Sequence, residues 1–446
     1  MTADAPRVFI VVATGQPVAN LPPILAYGQP GLDGILWLLS AKAKEYGYAH
    51  SSIEVLKARG FADHQPLEVS DHPGELAEAL REWLGANPAL RPVLVGNGGT
   101  KLGGLGLADA LANRDHCVVY GDGQPCRLWI KESPAADWTW RPYAEATLSL
   151  TEILTLTGNV IENPSAARRF WPDLADWPTD SFGEAPEPTA AAHDEFDLYD
   201  AAKRALARPP PRYREAAALA PAEMAGWREA VINLGRRIRN LLNAGRNLDG
   251  LELAATFNKA ADLARRAERQ AELLAARPGE RIGPRFERAT ARRVRAWLTI
   301  KPRRPIIEAW ENVLVRKTAP AGATKPNASI DMDVTLVLTN GVLLNLECKS
   351  FESDAKDLTA RLLNLQTVGS RLADMYVCAP VYTDCVDRPW FQKIAEMRRV
   401  VSDTTLKFIA FTLPGQPPTW IDSAGKEHPC PSFEAALDAA IAPYRP

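Results

Sequence analysis

Four short β-branched runs alternate with helical patterns over the first 150 residues: "RVFIVVAT", "GILWLLSAK", "RPVLVGNGG" and "HCVVYGD". Between them lie segments such as "PGELAEALREWLGANP" and "KLGGLGLADALANR". Strands separated by helices of that length pair in parallel, because a parallel connection needs a crossover and the helix supplies it. The expectation is a Rossmann-like α/β domain over residues 1–160, closed by "ATLSLTEILTLTGN".

At 446 residues the chain is long enough for two or three domains. From about 163 to 222 it is rich in Pro, Ala and acidic residues, which reads as a weakly structured connector. Trp227, Val231, Leu234, Ile238 and Leu241 then form one apolar stripe on an amphipathic helix. A second helix through Leu253, Phe257 and Leu263 ends at Pro278-Gly279. Residues 161–276 are therefore expected to be connector and helical segment, and 277–446 a further α/β domain. "MTADAPRVFIVVATG" has no signal-peptide pattern, and no apolar run approaches the ~20 residues that span a bilayer. The six cysteines show no CxxC pair. The expectation is a cytoplasmic protein with reduced thiols and no membrane partner. A net charge of -2 decides nothing about nucleic acid, since only local distribution matters.

In the last third, "GPRFERATARRVRAWL" reads as a helix, "IEAWENVLV" as a strand and "DMDVTLVLTNGVLLNLECK" as two strands around Asn340-Gly341. A helix ("DAKDLTARLLNLQTVGSRLA"), a strand ("MYVCAPVY"), a helix ("RPWFQKIAEMRRVVSD") and a strand ("LKFIAFTL") follow. A two-residue hairpin brings Asp333, at the start of one strand, close to Glu347, at the end of the next. Lys349 shares the face of Glu347 because side-chain direction repeats every two residues. Two carboxylates and an ammonium around a point suit Mg²⁺ or Mn²⁺ and an activated water. The same residues would also serve as a salt-bridged strand end.

Asp333 followed by Glu347-x-Lys349, between helices, resembles the PD-(D/E)xK nuclease superfamily over residues 280–380. Met332 stands where the family usually has Pro. The resemblance implies that Asp333, Glu347, the Cys348 carbonyl and a helical acid hold a divalent metal, with Lys349 and Gln366 also at the site. Glu287 matches the helical acid best, with Glu308 and Glu311 as alternatives. The cluster Arg277, Arg281, Arg285, Arg288, Arg292, Arg293, Arg295, Lys301, Arg303 and Arg304 is what phosphate-backbone contact with DNA or RNA needs. A solvated basic helix face is the other reading.

"VLVGNGGTKLGG" follows a strand and opens a helix, so Gly98 and Gly99 can aim backbone N–H groups at an anion beside Thr100 and Lys101. Neither the Walker A spacing nor GxGxxG is present. A glycine turn here is also an ordinary structural device. Strand, glycine-rich turn and helix, joined to a PD-(D/E)xK segment, resemble the CARF-domain nucleases of type III CRISPR defence. Asn97-Gly98-Gly99-Thr100-Lys101 matches that family's ligand loop with Asn in place of Thr. Gln16 and Asn20 match its first loop, and Ser40 and Lys42 its second-strand positions.

The resemblance implies a homodimer that binds cyclic tetra-adenylate, a two-fold ring, as allosteric activator and then cuts or nicks DNA, RNA or both. It also leaves room for slow cleavage of the ring by the first domain. An ungated repair or restriction nuclease, and a catalytically silent cyclic-nucleotide sensor, are the alternatives.

Overall fold

A computed structural model describes residues 6–143, 148–172, 282–300, 305–318, 329–348, 355–369, 373–380, 407–411, 419–421, 427–429 and 431–446. The expected helical pair of 221–276, most of the connector, the helix expected in "RPWFQKIAEMRRVVSD" and Lys349 lie outside them. The fold is α/β with two mixed sheets.

The first sheet has the order β3-β2-β1-β4-β5-β6-β7. It comprises β1 (Arg7–Val12), β2 (Gly34–Leu39), β3 (His64–Glu68), β4 (Arg91–Val95), β5 (Cys117–Gly121), β6 (Arg127–Lys131) and β7 (Thr139–Pro142). The first five are parallel, as expected for β1, β2, β4 and β5; β3, a polar strand at the sheet's edge, was not read from sequence, and β6 and β7 add an antiparallel extension. Central β1 and β2 are buried on both faces, which is why they read as continuous hydrophobic runs.

Helices α1 (Leu21–Tyr27), α2 (Ala41–Glu45), α3 (His50–Ala58), α4 (Pro73–Ala86) and α5 (Lys101–Leu111) connect these strands. One core beneath the sheet gathers Phe9, Ile24, Trp37, Leu56 and Val119. The other, made by Leu76, Leu80 and Leu84 of α4 with Leu107 and Leu111 of α5, covers Ile10, Leu36 and Leu38. Gly106 lets the two helices meet, since a Cβ there would stand 2.5 Å from the Pro73 carbonyl oxygen.

The second sheet has the order β14-β13-β12-β11-β10-β8, with β9 also on β10. Its strands are β8 (Asn159–Ile161), β9 (Arg168–Trp171), β10 (Ile306–Lys317), β11 (Ile330–Leu338), β12 (Leu343–Cys348), β13 (Asp374–Pro380) and β14 (Lys407–Phe411). A small separate pair is formed by β15 (Thr419–Ile421) and β16 (Glu427–Pro429). Helix α6 (Leu150–Leu156) precedes β8, α7 (Ile282–Ile300) precedes β10, α8 (Ala355–Gly369) follows β12, and α9 (Phe433–Ile441) closes the chain.

Residues 159–161 and 168–171, assigned from sequence to the end of the first domain and the start of the connector, instead extend this second sheet. The long strand β10 offers them free backbone groups along its outer edge, and pairing satisfies both sides. No helix among the described residues is long and apolar enough to cross a membrane.

The two sheets share one apolar core, from Phe9 and Trp37 through Ile153 to Val334, Leu346 and Phe433. Helix α6 stands at the junction. Ser149 and Glu152 form a capping box at its start, and Arg59 grips Glu152 with bonds of 2.6 and 2.8 Å. Burial pushes the Glu152 carboxyl up, but the Arg59 and Ser149 hydrogen bonds outweigh it and hold the pKa below its usual value. From the second sheet, Glu308 Oε2 accepts the Leu150 backbone N–H at 2.9 Å. The β11–β12 turn reaches the first domain as well, where Asn340 Nδ2 donates to the Gly123 carbonyl at 2.8 Å.

Candidate functional site

Two candidate sites emerge, one at the edge of each sheet. In the second, the turn between β11 and β12 decides the geometry. A two-residue Asn340-Gly341 turn would pair Thr339 with Val342, and would set Asp333 opposite Cys348, on the face away from Glu347. The observed register pairs Val337 with Leu343 and Val334 with Leu346, so the loop holds three residues with Gly341 at φ +80°. This corrects the expected turn by one residue. Carried one position further, it sets Asp333 directly opposite Glu347. Because side chains alternate between faces, the shift brings the two carboxylates together.

Both side chains are enclosed, Asp333 at 4% exposure and Glu347 at 1%. Asp333 Oδ2 accepts the Cys348 backbone N–H at 2.6 Å. Thr335 and Asn345, the next pair on the same face, hydrogen bond at 3.1 Å. Arg361 on α8 reaches that face, where its Nη1 donates to Glu347 Oε1 at 2.5 Å. A cavity of about 210 Å³ lies between hairpin and helix, lined by Asp331, Asn345, Glu347, Arg361, Asn364 and Leu365 among others.

Of the remaining expected residues, Glu287 is half-buried on α7. Cys348 is buried, which pushes its thiol pKa well up; Cys378 and the carboxylates of Asp333 and Glu287 push it further in the same direction. Asp333, Cys348 and Glu287 therefore belong to one electrostatic neighbourhood. Gln366 is half-buried on α8. Glu308 is committed to the α6 junction through the Leu150 N–H, the Trp310 indole and Arg169. Glu311 pairs with Val334 and so projects from the face opposite to Asp333.

Arg293 of the basic cluster bonds Glu434 at 2.6 Å and lies 4.7 Å over the Phe411 ring. It therefore packs α7 against α9 and β14, where the cluster reading expected a phosphate contact. Arg361 was missed from sequence. Its signal was legible, since Leu358, Leu362 and Leu365 define the buried stripe of α8 and Arg361 lies within it.

The donor set suits a hard divalent cation, because two enclosed carboxylates stand side by side and Mg²⁺ needs only one or two plus water. Among the described residues, no group of three or more His, Cys, Asp and Glu is placed to hold a metal ion.

The first candidate site sits at the C-terminal ends of β1, β2 and β4. Parallel pairing puts these ends side by side, as at other α/β ligand clefts. Gly99 has φ +89°, a conformation that favours glycine. A Cβ on Gly98 would stand 2.8 Å from the Val12 carbonyl oxygen and 2.9 Å from Asn20 Oδ1. The glycine turn thus lies directly against the first loop. Asn20 is buried, and its Nδ2 donates to the Val12 carbonyl at 3.1 Å.

Asn97 ties the turn to β5, accepting the Gly121 N–H at 2.7 Å and donating to the Gly121 carbonyl at 2.6 Å. Thr100 caps α5 by accepting the Gly103 N–H at 3.0 Å, and Ser40 caps α2 through the Ala43 N–H at 3.4 Å. Gln16, Lys42 and Lys101 are exposed around the same edge. The structure therefore brings Asn20 and the two glycines together and uses Asn97, Thr100 and Ser40 to hold the loops.

No family model matches the chain, and no curated protein matches its sequence. Among solved structures, protein VC1899 from Vibrio cholerae superposes with a TM-score of 0.50 at 14% identity, covering 91% of this chain and 94% of that one. Can2 from Sulfobacillus thermosulfidooxidans, solved in complex with cyclic tetra-adenylate, gives a TM-score of 0.47 at 11% identity over 91% and 93%. At such identity the likeness to VC1899 is one of fold alone.

Proposed function

We propose that this chain is a divalent-metal-dependent nuclease switched on by cyclic tetra-adenylate, in the manner of type III CRISPR accessory nucleases. The observation that carries the reading is the placement of Asp333 and Glu347 side by side on one enclosed strand face, produced by the three-residue turn. A Mg²⁺ or Mn²⁺ ion held there by the two carboxylates, with the Cys348 carbonyl and Glu287 as further ligands, would supply charge stabilisation and an acidified water.

The chain's own residues do the rest. The Cys348 N–H fixes the rotamer of Asp333. Arg361 pairs with Glu347 at 2.5 Å, and its guanidinium would turn to a phosphate oxygen when the carboxylate takes up the metal. Lys349 would orient the attacking water, and Gln366 would bind the substrate strand. In the first domain, Gly98 and Gly99 offer backbone N–H groups to a phosphate while Lys42 and Lys101 add charge. Gln16 and Asn20 would read the adenine or ribose, on loops held by Ser40, Asn97 and Thr100. A homodimer would present this loop twice to a two-fold ring.

One observation favours a second reading: the Arg361–Glu347 ion pair is also what a silent sensor would use to neutralise a retired acid. A single assay separates them. Supercoiled plasmid and labelled single strands are incubated with Mn²⁺, with and without cyclic tetra-adenylate, beside Glu347→Gln. Cutting that needs the ring and is lost in the variant establishes gate and site together. Ring-independent cutting removes the sensor assignment, and ring binding without any cutting establishes the silent sensor.

A further inference from the structure

Among the described residues, the second face of the first sheet is covered only in part. Helices α4 and α5 lie over β2, β1 and β4, and their core does not extend to β5, β6 and β7. On the opposite face of β5 and β6, Val119, Leu128 and Ile130 are packed into the main core. The face left open by the described residues carries a row of aromatic rings. Tyr120 pairs across strands with Trp129, and Trp129 with Trp140. Strand spacing of about 4.8 Å makes the row roughly 10 Å long.

Tyr120 is 42% exposed and Trp140 44%, with Trp138 beside them at 48%. Arg127 and Lys131 share the face of Trp129 by the two-residue period of β6. The Arg127 guanidinium lies 4.1 Å from the Trp140 ring centroid. The acid on this face, Asp122, accepts from the Trp129 indole at 3.4 Å.

An aliphatic protein partner would call for leucines and valines here, whereas this face offers flat rings bordered by cations. Rings spaced along a sheet accept bases, which all have a π-face, while the cations accept the phosphates between them. We infer that the Tyr120–Trp129–Trp140 face binds single-stranded nucleic acid. The site takes two or three bases, and Arg127 and Lys131 track its backbone. It is separate from the Asp333–Glu347 cleft and does not depend on the nuclease reading.

The test is fluorescence anisotropy of the full chain with labelled oligothymidylate and oligouridylate, in EDTA and without cyclic nucleotide, so that cleavage and gating play no part. Binding is expected, weakened about tenfold by Trp140→Ala and again by Tyr120→Ala. Lys131→Gln should lower the slope of log affinity against log salt by about 0.7. The inference is overturned if the chain binds neither oligonucleotide, or if these variants bind as the parent does. It is equally overturned if Trp140→Ala turns a dimer into a monomer in sedimentation while oligonucleotide affinity stands, for then the face belongs to a second copy.

Discussion

Asp333 Oδ2 accepts the backbone N–H of Cys348 at 2.6 Å, so a side chain of one strand replaces the ladder bond at the end of its neighbour. Two of the four positions expected from sequence as metal ligands are therefore locked to one another before any ion is considered.

Asp333→Ala leaves the buried Cys348 N–H without this acceptor and should cost about 1–3 kcal/mol in urea unfolding. Asp333→Asn keeps an acceptor and should retain most of that stability. If the nuclease reading holds, both variants lose cleavage, and the pair then separates chemistry from folding.

Arg361→Ala removes the guanidinium from a carboxylate that is 1% exposed. The expected loss is on the order of 3 kcal/mol, because an enclosed charge loses a close counter-charge. Isothermal titration with Mn²⁺ should at the same time show tighter binding, since the ion no longer competes with Arg361. Unchanged Mn²⁺ affinity would place the ion elsewhere.

Gly98→Ala would put a methyl group 2.8 Å from the Val12 carbonyl oxygen, a backbone atom that cannot move alone. On the ring-sensing reading, loss of cyclic tetra-adenylate binding is expected, with destabilisation of about 1–3 kcal/mol. Lys101→Gln, which is exposed, should weaken ring binding and leave stability unchanged.

The folded-state pKa of Glu152 is depressed, so its ionised form is favoured by folding. Its contribution to stability is full above the unfolded-state pKa and is lost as pH falls through the folded value. Thermal melts of the parent from pH 6 downward should therefore show a decline that Glu152→Gln flattens. An identical pH profile in that variant would mean that Arg59 and Ser149 do not govern the junction.

Much of the fold was written in local patterns. The central strands β1 and β2 of the first sheet are buried on both faces, and a run such as "GILWLL" has few other ways to bury itself. The edge was harder to read. Strands β6 and β7 carry Arg127, Lys131 and the exposed Trp140, which break the apolar signal. The few residues of β8 and β9 gain their structure from β10, far along the chain.

At the candidate site, Asp333 and Glu347 were legible as residue types at the ends of apolar strands. Their shared face was not, because it rests on whether Asn340-Gly341 closes a loop of two residues or three. That choice is made partly by the first domain, where a Cβ on Gly341 would meet Val18 and Leu148 at 3.3 and 3.4 Å.

The hairpin tip has a mechanical consequence. Its two strands begin against Gly123 and end at the acids, and hydrogen bonding along their length leaves no hinge between. Each behaves as a stiff rod whose near end is seated in the first domain. A slip of one rod past the other by a single residue would return Asp333 and Glu347 to opposite faces. The seat at Asn340 thus sets the alignment of two carboxylates seven residues, or roughly 20 Å, away.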